Sequence, residues 1–165
     1  MFEQCRDLER INVKNLDTRN VTRINAVFQA CPSLKELDVS NWDISKVTTE
    51  YRTFASCTNL ETLDISGWDF KNIPFGEWNY TFYVDANLTN LKFGKNWRSN
   101  LELRWTRKLT PESVISVLKG LAIADEGTTP KVTFNQLAYV EDNEEMQTAI
   151  GEATAKGWNI EFVKY

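Results

Sequence analysis

The sequence repeats itself with a period of 26 residues. The stretches FQACPSLKELDVSNWD (28–43) and FASCTNLETLDISGWD (54–69) agree at eight positions, and a weaker copy begins at Phe2. Seven columns match over three copies: Phe2, Phe28, Phe54; Cys5, Cys31, Cys57; Leu8, Leu34, Leu60; Ile11, Leu37, Leu63; Val13, Val39, Ile65; Asp17, Asp43, Asp69; and Val21, Val47, Ile73. A fixed period of this length indicates stacked structural repeats, each of which buries its apolar side against its neighbours.

A fourth, degenerate copy follows 28 residues after the third. FYVDANLTNLKF (82–93) keeps the internal spacing of the repeat, but Asp85 stands where the earlier copies have cysteine. The extra residues fall in the aromatic stretch PFGEWNYTFY (74–83), which we interpret as an irregular outward turn.

Each copy contains L-x-x-L-x-[VIF], whose last two apolar residues are two apart, the period of a strand with one buried face. After residue 100, LELRW (101–105), KVTF (131–134) and IEFV (160–163) have strand character and stand 28 to 30 residues apart. Helical segments separate them: Thr110 and Pro111 form an N-cap signal, and Asp142 with Glu145 resembles a capping box, with Gly157 placed to stop that helix.

These patterns predict one right-handed α/β solenoid in which about seven short parallel strands form a single curved sheet. Its backing is expected to be irregular or short-helical in the N-terminal half and α-helical in the C-terminal half. We predict a single domain over 1–165, with regular repeats at 1–73, a degenerate repeat with an aromatic insertion at 74–100, and longer helix-containing repeats at 101–165.

Composition excludes several functional classes. The chain has no histidine, which removes Ser-His-Asp, Cys-His and His-metal sites. A net charge of −4 argues against a nucleic-acid binder, and no apolar run is long enough to span a bilayer. Three cysteines are a poor basis for a disulfide framework, and their place in an apolar column favours the core over a metal or redox site.

The residues MF..C..L..I.V...D, F..C..LKELDVSNWDISKV and F..C..LETLDISGWDFKNI resemble BspA-like leucine-rich repeats, more narrowly the 26-residue repeat of bacterial surface proteins. The resemblance implies a leucine-rich repeat fold and an extracellular recognition scaffold, of the kind found on bacterial surface proteins and in phage tail-associated proteins, without catalytic residues. Met1-Phe2 matches the family's own MF inside a repeat, so we expect a fragment of a longer protein that lacks its N-terminal cap.

Alternation places one set of polar side chains on the sheet face that points away from the core. This predicted ligand-binding face comprises Arg10, Asn12, Lys14, Glu36, Asp38, Ser40, Thr62, Asp64, Ser66, Asn90, Lys92, Glu102 and Arg104, continued by Lys131, Thr133 and Asn135. The alternative is an ordinary solvated sheet face. A glycosidase pair on adjacent strands is disfavoured because an exposed face has no cleft to raise the pKa of one carboxyl.

Two further features have competing interpretations. Trp78, Tyr80 and Tyr83 either form a sugar-stacking or protein-binding patch or pack in the core. Asp17, Asp43 and Asp69 follow the strands, where a carboxylate holds a turn, and a calcium ladder is the less favoured alternative. We predict no metal and no cofactor.

The sequence therefore predicts a non-catalytic recognition module of a bacterial cell-surface or secreted protein. It would bind a protein or glycan outside the cell, as an adhesion or host-interaction module, with no nucleic-acid partner and no membrane insertion. The alternative is a structural spacer or assembly element of a larger surface or phage-tail protein.

Overall fold

The computed structural model of the chain describes residues 1–74 and 80–164. Within them lie six short strands and two α-helices. In chain order these are β1 (Glu36–Asp38), β2 (Thr62–Asp64), β3 (Asn90–Lys92), β4 (Leu101–Leu103), α1 (Pro111–Lys119), β5 (Lys131–Asn135), α2 (Glu144–Ala155) and β6 (Asn159–Val163), with 3-10 turns at Phe70–Asn72 and Gln136–Ala138. Neither helix is long and apolar enough to cross a membrane, as judged over the residues described.

The strands form two separate three-stranded parallel sheets, in the orders β1-β2-β3 and β4-β5-β6. The first repeat contributes only an isolated bridge from Arg10 to Glu36. The predicted solenoid of about seven strands in one curved sheet is therefore wrong, and with it the leucine-rich repeat assignment. The chain is a small α/β domain.

Helix α1 explains the break between the sheets, because its hydroxyl groups occupy the free edge of β3. Ser113 Oγ accepts a hydrogen bond from the backbone N–H of Leu91 and donates one to the carbonyl of Thr89, both at 2.9 Å. Ser116 Oγ accepts from the N–H of Phe93 at 2.9 Å. With its edge groups satisfied in this way, β3 has no need of a further strand, and β4 pairs with β5 instead.

The first sheet keeps the register of the sequence repeat. Leu37 lies opposite Leu63, which lies opposite Leu91, and all three are buried. The phenylalanine column forms a stack, with ring centroids 5.2 Å apart for Phe2 and Phe28, and 6.1 Å for Phe28 and Phe54. The repeated sequence thus yields repeated layers, each covering the apolar side of the next.

The tryptophan column also ties successive repeats together. Trp42 Nε1 donates to the carbonyl of Val13 at 3.2 Å, and Trp68 Nε1 donates to the carbonyl of Val39 at 2.8 Å. Each buried indole therefore has a partner in the preceding repeat, as a buried indole N–H requires. The predicted packing role of these rings is confirmed.

The cysteines are free, and Cys31 and Cys57 are completely buried while Cys5 is half-buried. The Cys31 thiol donates to the carbonyl of Phe2, and the Cys57 thiol donates to that of Phe28, both at 3.0 Å. Their assignment to the core is confirmed for the two buried thiols.

Asp85 takes the cysteine position in the fourth repeat and is also fully buried. Its Oδ1 accepts a hydrogen bond from the backbone N–H of Cys57 at 2.8 Å, while its Oδ2 has no hydrogen-bond partner in the part of the chain described. Desolvation by burial raises the pKa of this carboxyl well above its ordinary value.

The helix signals after residue 100 are largely confirmed. Thr110 caps α1, its side chain accepting from the N–H of Ser113, with Pro111 at the first helical position. Helix α2 is capped by Asn143 rather than the predicted Asp142, because the Asn143 side chain accepts from the N–H of Met146 at 2.8 Å. Gly157, with a φ of +92°, lies just beyond the end of α2, where left-handed backbone favours glycine.

Candidate functional site

The exposed face of the first sheet gathers polar side chains from adjacent repeats, because the leucine between them on each strand points into the core. The strand register aligns them in two rows across the sheet. We call this surface the first polar face: Arg10, Asn12 and Lys14 beside β1, one row of Glu36, Thr62 and Asn90, and a second row of Asp38, Asp64 and Lys92.

Opposite charges on this face pair across strands. Lys14 Nζ lies 2.8 Å from Asp38 Oδ2, and Lys92 Nζ lies 3.0 Å from Asp64 Oδ2. Arg10 and Glu36 are more loosely paired, at 3.9 Å. The hydrogen bond from Lys14, with further bonds from Ser40, lowers the pKa of Asp38 to about 2, so this carboxylate is ionised at neutral pH.

Each central aspartate also holds its own backbone. Asp38 Oδ1 accepts from the Ser40 N–H at 3.1 Å and from the Ser40 hydroxyl at 2.7 Å. Asp64 Oδ1 makes the same pair of bonds with Ser66, at 3.1 and 2.6 Å. Burial opposes ionisation of Asp64, but the bonds from Ser66 and Lys92 outweigh it and lower its pKa. Ser40 and Ser66 therefore close turns at the margin of the face.

The first polar face contains an open depression of about 490 Å³. Its lining comprises Arg10, Ile11, Asn12, Glu36, Leu37, Asp38, Thr62, Asp64 and Lys92. The structure thus brings most of the predicted residues from the first three strands and the segment before β1 into one concave surface. Both charge signs are present there, which suits a polar ligand that makes several distributed contacts.

Glu102 and Arg104 do not join this surface. They belong to the second sheet, where they pair with each other at 2.7 Å, and α1 occupies the β3 edge that would have linked the two faces. Thr133 and Asn135 were predicted to be exposed, which is wrong, because they are only 2% and 3% exposed on the central strand β5. The Asn135 side chain donates to the carbonyl of Arg104 at 2.9 Å.

The aromatic patch differs from its prediction in membership. Trp78 lies outside the described residues. Tyr80 and Tyr83 contact each other edge to face, with ring centroids 5.7 Å apart. Tyr51 meets Tyr80 at 6.1 Å, and Trp105 meets Tyr83 at 5.7 Å. The sequence gave no sign of these two additional rings, because they lie far from the insertion along the chain.

The aspartate column holds turns, which is the interpretation favoured from the sequence. Asp17, Asp43 and Asp69 each accept a hydrogen bond from the backbone N–H two residues further on, at 3.2, 2.8 and 3.2 Å. No cluster of three or more potential metal-ligating side chains occurs among residues 1–74 and 80–164.

Fold and surface together define a repeat-containing α/β domain with an exposed, charged and concave sheet face. The chain belongs to the family described as "Mycoplasma protein of unknown function, DUF285", whose model matches residues 1–100. That match covers the whole of the first sheet and ends just before β4. Neither a search of curated proteins nor a search of solved structures found a match.

Proposed function

We propose that this domain is a non-catalytic recognition module that binds a protein or glycan through the first polar face. The observation that carries the proposal is the register of the first sheet, which places Asp38, Asp64 and Lys92 in one row at the surface of the depression. A rigid parallel sheet fixes these side chains relative to one another, so a ligand would meet a preorganised pattern of charges.

The sequence resemblance supports a location outside the cell. We propose that the 26-residue repeat is related to the repeats of BspA-like bacterial surface proteins, in which such repeats serve extracellular recognition. This relation concerns the sequence of the repeat and not the arrangement of strands. The ligand would accordingly be a cell-surface or secreted protein, or a surface glycan, in an adhesion or host-interaction setting.

The ionisation of the central aspartates supports binding rather than catalysis. Asp38 and Asp64 are neighbours on adjacent strands, the arrangement in which a glycosidase pair was considered. A general acid in such a pair needs a raised pKa, whereas the pKa of both carboxyls is lowered. Both are also engaged by lysine and by backbone N–H groups.

One observation favours the alternative of a structural spacer or assembly element. The charges of the first polar face already pair with one another, as in Lys14 with Asp38 and Lys92 with Asp64. Such a face is well solvated and needs no ligand to balance it. The alternative therefore predicts that the face tolerates rearrangement of its charges.

A charge exchange across one ion pair separates the two possibilities. The double variant Asp64→Lys, Lys92→Glu keeps opposite charges on neighbouring strands but inverts their positions. Wild type and variant would be compared for binding to one array of glycans and extracellular proteins. The matched control is Lys119→Glu, Glu145→Lys, which exchanges a pair with a 2.7 Å contact between the two helices, away from the face.

We expect the exchange on the face to weaken binding to a wild-type ligand at least tenfold, a loss in the range measured for truncation of interface residues that matter. The exchange between the helices should leave that binding unchanged. Thermal unfolding of all three proteins checks that the domain stays folded. Equal binding by both double variants would assign the ligand to another surface.

A further inference from the structure

The second sheet carries a smaller niche that is separate from the first polar face. It has a volume of about 200 Å³ and is lined by Asn100, Leu101, Glu102, Arg104, Thr129, Lys131 and Thr133. We propose that this second-sheet niche binds a small, neutral, polyhydroxylated ligand the size of a single sugar residue.

The floor of the niche contains an unsatisfied polar side chain. Thr133 is only 2% exposed, and its hydroxyl has no hydrogen-bond partner in the described part of the chain. The strand register places Thr133 directly between Glu102 on β4 and Glu161 on β6. A buried hydroxyl without a partner is costly, and a ligand hydroxyl in the niche would remove that cost.

The charges around Thr133 are balanced. Arg104 pairs with Glu102 at 2.7 Å, and Lys131 pairs with Glu161 at 2.9 Å. The hydrogen bond from Lys131 lowers the pKa of Glu161, so this pair is ionised at neutral pH. Two positive and two negative groups leave no net charge with which to attract an ion. A charged ligand would have to displace one of these pairs, whereas a neutral ligand would not.

The same groups retain hydrogen-bonding capacity after pairing. A carboxylate has about four acceptor sites and a guanidinium has about five N–H donors, so each of these ion pairs leaves several positions for ligand hydroxyls. Leu101 adds an apolar contact at the wall. The niche is smaller than the roughly 300–1,000 Å³ typical of sites for drug-sized ligands, which limits the ligand to about one sugar ring.

The test is an NMR titration of the full chain, in which amide shifts of β4, β5 and β6 report occupancy of the niche. The probes are glucose, galactose and N-acetylglucosamine as neutral sugars, glycine as a zwitterion and inorganic phosphate as an anion. We expect at least one sugar to shift amides of the second sheet at millimolar concentration, with no such shifts from glycine or phosphate. The result is independent of the first polar face and of its ligand.

The variant Thr133→Val keeps the shape of the side chain but removes its hydroxyl. We expect it to raise the Kd for the sugar about threefold to tenfold, the loss that one neutral hydrogen bond represents. Thr62→Val is the matched control, because Thr62 occupies the central strand of the first sheet and lines the other depression. Glu102→Gln, at a partly exposed position, is expected to weaken sugar binding too and serves if Thr133→Val does not fold.

Two results would overturn the proposal. One is the absence of second-sheet shifts with every sugar, or stronger shifts with glycine or phosphate than with any sugar. The other is unchanged sugar affinity in Thr133→Val, or in Glu102→Gln where the first variant is unfolded.

Discussion

Replacement of Asp85 by cysteine should stabilise this domain, although it removes a hydrogen bond. Asp85 is buried with one carboxyl oxygen unpartnered among the described residues. An unsatisfied buried polar group costs about 1–3 kcal/mol. In the two preceding repeats the buried cysteine donates instead to the phenylalanine carbonyl of the repeat before it, at 3.0 Å, and Phe54 is the corresponding residue for position 85.

The bond that is lost is partly replaced. The backbone N–H of Cys57 donates to Asp85 Oδ1 at 2.8 Å but also to the carbonyl of Phe54 at 3.3 Å, so it keeps an acceptor in the variant. We therefore expect Asp85→Cys to raise the free energy of unfolding by about 1–2 kcal/mol at neutral pH. Urea denaturation followed by tryptophan fluorescence would measure the change, since several indoles are buried in the core.

The pH dependence gives a sharper signature. In the unfolded chain the Asp85 carboxyl loses its proton near pH ~4, whereas burial keeps it protonated to higher pH in the folded state. Between these two pKa values the folded state binds more protons, so the contribution of Asp85 to stability falls as the pH rises. The advantage of Asp85→Cys over wild type should accordingly grow from about pH 4 to about pH 8.

The difference between the two proteins isolates Asp85, because other carboxyls change the stability of both alike. Asp38, for example, has a pKa lowered to about 2 and contributes stability that is lost only in acid. An advantage of the variant that is constant with pH, or a variant less stable than wild type at neutral pH, would show that Asp85 is not a neutral buried acid.

Two further changes test the packing. Ser113→Ala would leave the buried N–H of Leu91 without its acceptor and should lower the free energy of unfolding by about 1–3 kcal/mol, while Ser66→Ala, at an exposed turn, should cost less; equal losses in denaturant titrations would deny α1 its role at the sheet edge. Gly94→Ala would place a methyl group against a backbone carbonyl of the preceding repeat and should destabilise by about 1–3 kcal/mol, whereas Gly151→Ala, in open space on α2, should stabilise by up to about 1 kcal/mol; matching melting temperatures would contradict the close approach of the repeats.

The repeat columns made the first half of the fold predictable. Their spacing identified the buried leucines of the first sheet and the parallel pairing of its strands at 26-residue register. Lys14 with Asp38 and Asp64 with Lys92 were correctly placed on one surface, because alternation on a strand with a buried face leaves little choice. The prediction succeeded where neighbouring layers are near-copies of each other.

The break between the sheets was not predictable from periodicity. The strand-like segments after residue 100 keep almost the same spacing as the repeats, which suggested one continuous sheet. What ends the first sheet is the hydroxyl groups of Ser113 and Ser116, which bond to backbone more than twenty residues away in sequence. A helical pattern shows that serines lie on one side of a helix but not which backbone they meet. The assignment of Glu102 and Arg104 to the first face failed for this reason.

The most direct test of the recognition proposal is to map where a ligand sits. A glycan or protein that binds the wild-type domain on the array would be added to the isotope-labelled chain, and backbone amide shifts would be recorded residue by residue. The account predicts the largest shifts at residues 36–38, 62–64 and 90–92 of the first sheet. Shifts confined to the helices or to the second sheet, with none on these three strands, would contradict it.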